Sequence, residues 1–293
     1  MHGGWAQSAS ESESKNGPRM KNKPSTPVRT SAPKESAAKA SASAVKSADR
    51  TIVLLEALAN SPHAMTLTEL QQAMGVPKSS LYMLLQTLVA RGWLHSDARL
   101  GTYGIGVRAL LVGTSYLDHD RVVQAAAPVI TELRSQINET VHLARLDGSD
   151  VVYLASRESQ HHLRVISRVG RRVPAHATSL GKSLLATRTD VDVDALLPAK
   201  LVQLTPNTVH DRRALHKQLD EFRALGYAFE REENTPGLCC FAVALPYRSP
   251  AVDAISCSVP LARLDKKHEK EVIQGLFEAA RAISDSLPHS NLG

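Results

Sequence analysis

The sequence predicts an α+β protein in which a small helical unit with a hairpin precedes a larger unit built on a mostly antiparallel sheet. Three observations predict it. Apolar residues recur at helical spacing three times between Asp49 and Val89, and short period-two strands then flank a polar tip. Six further strand-like segments follow, with helical stretches before, between and after them. Of the 293 residues, 43% are hydrophobic and 22% charged, enough apolar matter for a buried core.

Residues 1–45 precede both units. Residues 1–48 hold eight Lys/Arg against three Asp/Glu, so nearly all of the formal +6 charge sits there. Ser, Ala, Pro and Lys leave almost nothing to bury, and a disordered basic tail is expected over 1–45. It either adds salt-sensitive attraction to DNA phosphates or has no specific role. The opening residues lack the apolar stretch of a secretory signal, and no apolar run reaches the ~18 residues of a membrane span. Cys239, Cys240 and Cys257 form no CxxC and no even framework. A cytoplasmic protein without membrane contact is expected.

Residues 46–106 form the first unit. In DRTIVLLEALAN, Ile52, Leu55, Leu58 and Ala59 mark one helical face, and Ser61-Pro62 ends it. Thr66 and Glu69 read as a capping box, with Leu67, Leu70 and Met74 turned inward before Gly75 stops the helix. Pro77 opens a third helix at its first position, where its missing N–H costs nothing. Leu81, Leu84, Leu85 and Leu88 form that helix's apolar stripe. Strands at 93–95 and 102–105 enclose SDARLG. This is a winged helix-turn-helix pattern. The third helix exposes Lys78, Ser79, Ser80, Tyr82, Met83, Gln86 and Thr87, with no carboxylate from Lys78 to Val89. An acid there would oppose phosphates, whereas hydroxyls, amides and apolar tips suit base edges and thymine methyls. Arg99, the base at the hairpin tip, suits a phosphate or the minor groove. The alternative is an interaction module whose polar face meets water.

Residues 107–293 form the second unit. Val107–Ile137 is helical, and Gly113 and Pro128 suggest a linker helix followed by another helix. ETVHLARLDGSDVVYLAS reads as two strands around Asp147-Gly148, and LRVISRVG as a third. SLGKSLLAT and HDRRALHKQLDEFRALG read as helices, then GYAFERE, LCCFAVAL and AVDAISCSV as strands. A last helix spans about Lys266 to Leu287.

A helix beginning near Thr178-Ser179 would leave the amides of Ser179, Leu180 and Gly181 free at a positive dipole end, an anion cradle. Equally, Thr178 could cap its own helix while Gly181 packs on the sheet. Gly181-Lys182-Ser183 is not a P-loop, because His176 stands where the first glycine belongs. Alternation puts Ser256 and Ser258 on one sheet face and Cys257 on the other. Cys240 is either a second small polar group or a buried hydrophobe. A hydrolase pairing His176 with Cys240 or Ser256 lacks a nucleophile elbow and an orienting acid. His142, His161, His162 and His176 lack metal-ligand spacing, so each reads as a structural or surface histidine. Neither a metal nor a cofactor is expected.

Four segments together, SADRTIVLLEAL, LTELQQAMGVPKSSLYMLLQTLVARGWL with its wing, HATSLGKSLLA, and GYAFEREENTPGLCCFAVALP with AISCSVP, make the span Val45 to Leu287 resemble IclR-type bacterial transcriptional regulators. The resemblance implies a winged helix-turn-helix, a linker helix and a GAF/PAS-like effector domain. It also implies dimers or tetramers on palindromic double-stranded operators, with repression the commoner mode. The family's effector pocket falls on the amides of Ser179 and Leu180 and on Glu230, Cys240, Ser256 and Ser258. Glu230 stands where the family pattern has Asp. The expected function is a regulator whose operator binding responds to a small organic acid on these groups and Gly181, with Val165 and Leu238 as apolar walls. The region Val107–Asp120 is the expected lever. A Cys/His hydrolase and a protein-interaction adaptor are the alternatives.

Overall fold

The computed structural model describes residues 45–165 and 168–287. Apart from Val45, the basic tail expected over 1–45 lies outside the described residues.

The first unit runs α1 (Lys46–Asn60), β1 (Met65–Thr66), α2 (Leu67–Met74), α3 (Lys78–Ala90), β2 (Leu94–Asp97) and β3 (Thr102–Ile105). Leu54, Leu58, Leu70, Leu81, Leu85, Leu88 and Leu94 close its core. The capping box forms as expected: the Glu69 amide donates to Thr66 Oγ1 at 3.3 Å, and the Thr66 amide donates to Glu69 Oε2 at 2.7 Å. Three details differ from the sequence reading. Leu54 replaces Ile52 on the buried line of α1, and Ile52 and Ala59 are exposed, because the core formed with α2, α3 and β3 takes up the Leu54–Leu58 side of the helix. Pro77 caps α3 from outside, its carbonyl accepting the Leu81 amide at 3.1 Å. The two-residue β1, too short to show a period, joins the wing sheet in the order β1-β3-β2.

The helical connector breaks at neither Gly113 nor Pro128. It consists of α4 (Val107–His119) and α5 (Arg121–Ile137), divided at Asp120, whose carboxylate accepts the Val122 and Val123 amides at 3.0 Å each. Pro128 lies inside α5, where burial of Val122, Ala126, Ile130 and Leu133 outweighs the lost backbone bond.

The second unit continues with β4 (Thr140–Asp147), β5 (Asp150–Arg157), β6 (Arg172–Pro174), α6 (Ser179–Ala186), α7 (Asp190–Leu196) and α8 (Arg212–Leu225). It ends with β7 (Ala228–Arg231), β8 (Leu238–Ala244), β9 (Asp253–Pro260) and α9 (Lys266–Ser286). The strands form one sheet in the order β6-β5-β4-β9-β8-β7, and every pairing in it is antiparallel. The strand expected at 163–170 is absent from its described residues. Leu163 and Val169 are exposed there, Gly170 turns the chain at φ +83°, and the strand comes later as β6. In the acid-rich DVDVDAL of α7, Asp and Val alternate with period two, which hid a helix whose Val193 and Leu196 pack inward while Val191 is exposed.

Alternation splits the sheet's two faces, interrupted by one bulge where Leu154 and Ala155 of β5 both join the core under α5 and α9. Val141, Leu143, Phe241, Val243, Ile255, Cys257 and Val259 pack under α5 and α9. The opposite face meets α6 and α8 through small residues, among them Ala144, Ala242 and Ala254. Because both faces are covered, all eight residues of the central β9 are buried.

Candidate functional site

On α3, Lys78, Ser79, Tyr82, Met83, Gln86 and Thr87 are exposed together on one face. Ser80 departs from this set. It is half-buried and accepts a bond from Arg50 Nη1 at 3.1 Å, so its hydroxyl braces α1 against the start of α3. Arg50, which no sequence pattern singles out, thereby lies beside the N-terminal turn of the exposed face. The Thr87 hydroxyl donates to the Met83 carbonyl at 2.9 Å. Arg99 is exposed at the wing tip, where the Asp97 carboxylate accepts the Arg99 and Leu100 amides at 2.8 and 3.2 Å and fixes the turn.

In the second unit the register assembles side chains far apart in sequence. One row across the α6 side of the sheet reads Glu230, Cys240, Ser258, Thr140. The next reads Ala228, Ala242, Ser256, His142, Ser156, and the third contains Ala244, Ala254, Ala144 and Tyr153. Polarity therefore grades from alanine at one end to hydroxyl, thiol, imidazole and carboxyl at the other. Helix α6 lies along this gradient. Its C-terminal end is tied to the start of β9, where the Ala251 amide donates to Thr187 Oγ1 at 3.1 Å and Arg188 Nη1 donates to the Ala251 carbonyl at 2.7 Å. Its N-terminal end consequently points to the polar rows.

At that end the two readings of the helix start divide between residues. Thr178 caps α6, its hydroxyl accepting the Gly181 amide at 3.0 Å, so Gly181 is no free donor. A Cβ on Gly181 would stand 2.1 Å from the Ala175 carbonyl oxygen, so this glycine serves backbone packing. The amides of Ser179 and Leu180 have no acceptor among the described residues.

Glu230 is buried, and its Oε2 accepts the Glu233 amide at 2.7 Å; burial raises its carboxyl above the ordinary range. Cys240 Sγ lies 3.3 Å from Ser258 Oγ. Burial, then the neighbouring Glu230 charge, hold that thiol well above its usual value, so it stays protonated. Val165 borders the row through its carbonyl, which accepts from Thr140 Oγ1 at 3.1 Å, and Leu238 shares the Cys240 face of β8. The proposed nucleophile–base pair does not form, because His176 Nε2 is bonded 2.9 Å from the Val202 carbonyl.

Sequence reasoning missed His142, Tyr153, Thr140 and Ser156, which only register brings to Ser256 and Ser258. It also missed the buried Lys182, whose ammonium meets Glu233 and, at 2.7 Å, Gln218 Oε1. Alternation within β4 marks His142 and Ala144 as facing one way, but not which way. A cleft of about 370 Å³ opens between α5 and α9, yet Glu132 and Glu278 give it the wrong sign for an organic anion.

Two family models match the chain: the IclR helix-turn-helix domain over residues 47–98 and the bacterial transcriptional regulator IclR C-terminal domain over 114–285. The HTH-type transcriptional regulator KdgR of Dickeya chrysanthemi is 34% identical over 223 residues, 75% of this chain and 73% of its own. The transcriptional repressor IclR of Escherichia coli (strain K12) is 32% identical over 245 residues, 82% and 89% of the two chains. Among solved structures, an IclR homolog from Microbacterium hydrocarbonoxydans complexed with 4-hydroxybenzoate shares the fold. Its TM-score is 0.69 at 24% identity, over 83% of this chain and all of that one.

Proposed function

The chain belongs to the IclR family of bacterial transcriptional regulators, and from that premise we propose that α3 reads operator DNA while the polar rows beneath α6 hold a small organic acid. As a DNA-binding regulator with an effector-binding C-terminal domain, it needs a surface for each partner. The observation that carries the assignment is the carboxylate-free exposed face of α3, from Lys78 through Thr87. Lys78 and Ser79 reach phosphates or base edges, Gln86 suits adenine, and Tyr82 and Met83 offer apolar contact to thymine methyls. Arg99 anchors the wing. In the second unit the acid's carboxylate sits on the Ser179 and Leu180 amides, with Ser256, Ser258, Cys240 and Glu230 completing the hydrogen bonds.

The gel-shift experiment that tests the groove assignment uses an operator and a scrambled duplex at fixed salt. Lys78→Ala should weaken binding to both. Gln86→Ala should cost about 1–3 kcal/mol on the operator and relax preference at one base pair. Undiminished binding by both variants would show that another surface holds the DNA.

The exposed face of α4 supports an oligomer. None of its residues is buried, and Val107, Leu110 and Leu111, at i, i+3 and i+4, are each more than 60% exposed. A second copy covering this face produces the two-fold dimer that a palindromic operator needs.

A further inference from the structure

His142 is absent from every role assigned so far. Its side chain is 1% exposed, and it faces Ser256 on β9 and Ser156 on β5 in register, within the polar rows at the head of α6. Nδ1 lies 3.1 Å from Ser156 Oγ. The ring meets Tyr153 edge to face, centroids 5.0 Å apart at 89°. Those two contacts fix the ring plane. Nε2 is buried and has no hydrogen-bond partner among the described residues. Buried polar atoms are otherwise paired nearly throughout folded proteins, because an unmade bond forfeits the hydration the atom gave up.

The character of Nε2 follows from the ring's charge. Burial pushes the imidazole down to about 3, with Arg171 acting in the same direction, so the ring is neutral and carries one proton. If Ser156 donates to Nδ1, Nε2 bears the hydrogen; if Nδ1 donates to Ser156, Nε2 is an acceptor. An alkyl group satisfies neither tautomer, and a carbonyl or carboxylate oxygen satisfies only the first. A hydroxyl, both donor and acceptor, satisfies either.

We propose that His142 is a specificity-determining residue of the acid site, its Nε2 binding the hydroxyl of a small hydroxy acid whose carboxylate lies on the Ser179 and Leu180 amides. This inference rests on the acid-site reading above and narrows its ligand class from organic acids to hydroxy acids. A site with a buried nitrogen waiting for a hydroxyl discriminates strongly against the analogue without one, since that analogue leaves the nitrogen unpaired.

Calorimetric titration of the full chain with two matched pairs, glycolate against acetate and 4-hydroxybenzoate against benzoate, tests it. In at least one pair the hydroxy acid should bind tenfold or more tightly than its partner. His142→Phe, which keeps a ring against Tyr153, should bring that ratio close to one, and Ser156→Ala, which unfixes the ring, should lower it. If none of the four acids binds the unmodified protein, the acid-site reading itself falls. If acids bind without preference for the hydroxyl, or if His142→Phe keeps the preference, the role of His142 falls while the site stands. Should His142→Phe fail to fold, Ser156→Ala decides: an unchanged ratio overturns the assignment.

Discussion

Lys182 and His142 show how much of this protein's chemistry depends on single side chains placed out of reach of water. Lys182 is fully buried, and burial lowers its ammonium; Glu233 and Gln218 hold it in the charged form. Glu233 also accepts the Val209 amide at 3.0 Å and sends its own amide to Glu230, so this pair positions a candidate ligand group. His142 has a measurable acid signature. Its folded value near 3 lies below the ordinary 6.5, so between those values the unfolded chain takes up a proton that the folded chain refuses. Stability therefore falls as pH is lowered through that window. His142→Phe should flatten part of the decline between pH 6.5 and 4.5 in urea titrations, with His176 still contributing in both proteins. Parallel declines would mean that His142 is not held neutral.

At the scale of elements, the helix ends explain more than the helix middles. Thr66 and Glu69 close α2 reciprocally, Asp120 starts α5, Thr178 starts α6, Asp211 starts α8 and Asp265 starts α9. Each cap fixes a boundary through one or two backbone amides, a contribution of about 1 kcal/mol. Helix α6 can lie close to the sheet because the alanine row below it takes almost no room, and Gly181 lets the Ala175 backbone, just after β6, approach its first turn. Helix α4 is the opposite case, an apolar face without a covering element within the protomer. Leu110→Glu combined with Leu111→Glu should give a monomer by light scattering and lower affinity for a palindromic duplex. A dimer that survives both changes would place the interface elsewhere.

Across the whole molecule, the helical connector and the central strand β9 meet in one guanidinium. Arg145 on β4 donates to Tyr116 on α4 at 2.6 Å and to Asp120, between α4 and α5, at 2.5 Å. It also donates to both oxygens of the fully buried Asp253 at 2.7 and 2.9 Å. Asp253 lies on β9 three residues before Ser256. On the proposed acid-site reading, Arg145 is the contact through which β9 is coupled to the α4 corner, and operator affinity responds only as far as the acid prefers one arrangement. Tyr116→Phe with Asp120→Asn keeps the cap and avoids stranding a buried charge. It should reduce the acid-dependent change in operator affinity by roughly fivefold or more while acid binding persists. In an operator–reporter strain the same pair should blunt whatever change in promoter output the acid produces with the unmodified protein. An unaltered acid response would exclude this corner as the route.

Local chemistry by itself determined the three N-terminal helices, the wing, the capping box, the polar face of α3 and most strands of the second unit. Those features follow from spacing and from side chains that bond within a few residues of themselves. The same locality made Ser256 and Ser258 recognisable as partners on one face. Only the tertiary structure decided which residues join them. Thr140, His142, Tyr153 and Ser156 reach the polar rows through pairings across up to 118 positions, as in Thr140 with Ser258, and no short-range pattern encodes a register. It also decided that Gly181 is a packing residue, that Ser80 turns to Arg50 and that the connector breaks at Asp120. Ser80 is settled by a contact thirty positions away, Gly181 by the approach of the Ala175 backbone, and the break at Asp120 by its capping bonds together with Arg145 across 25 positions.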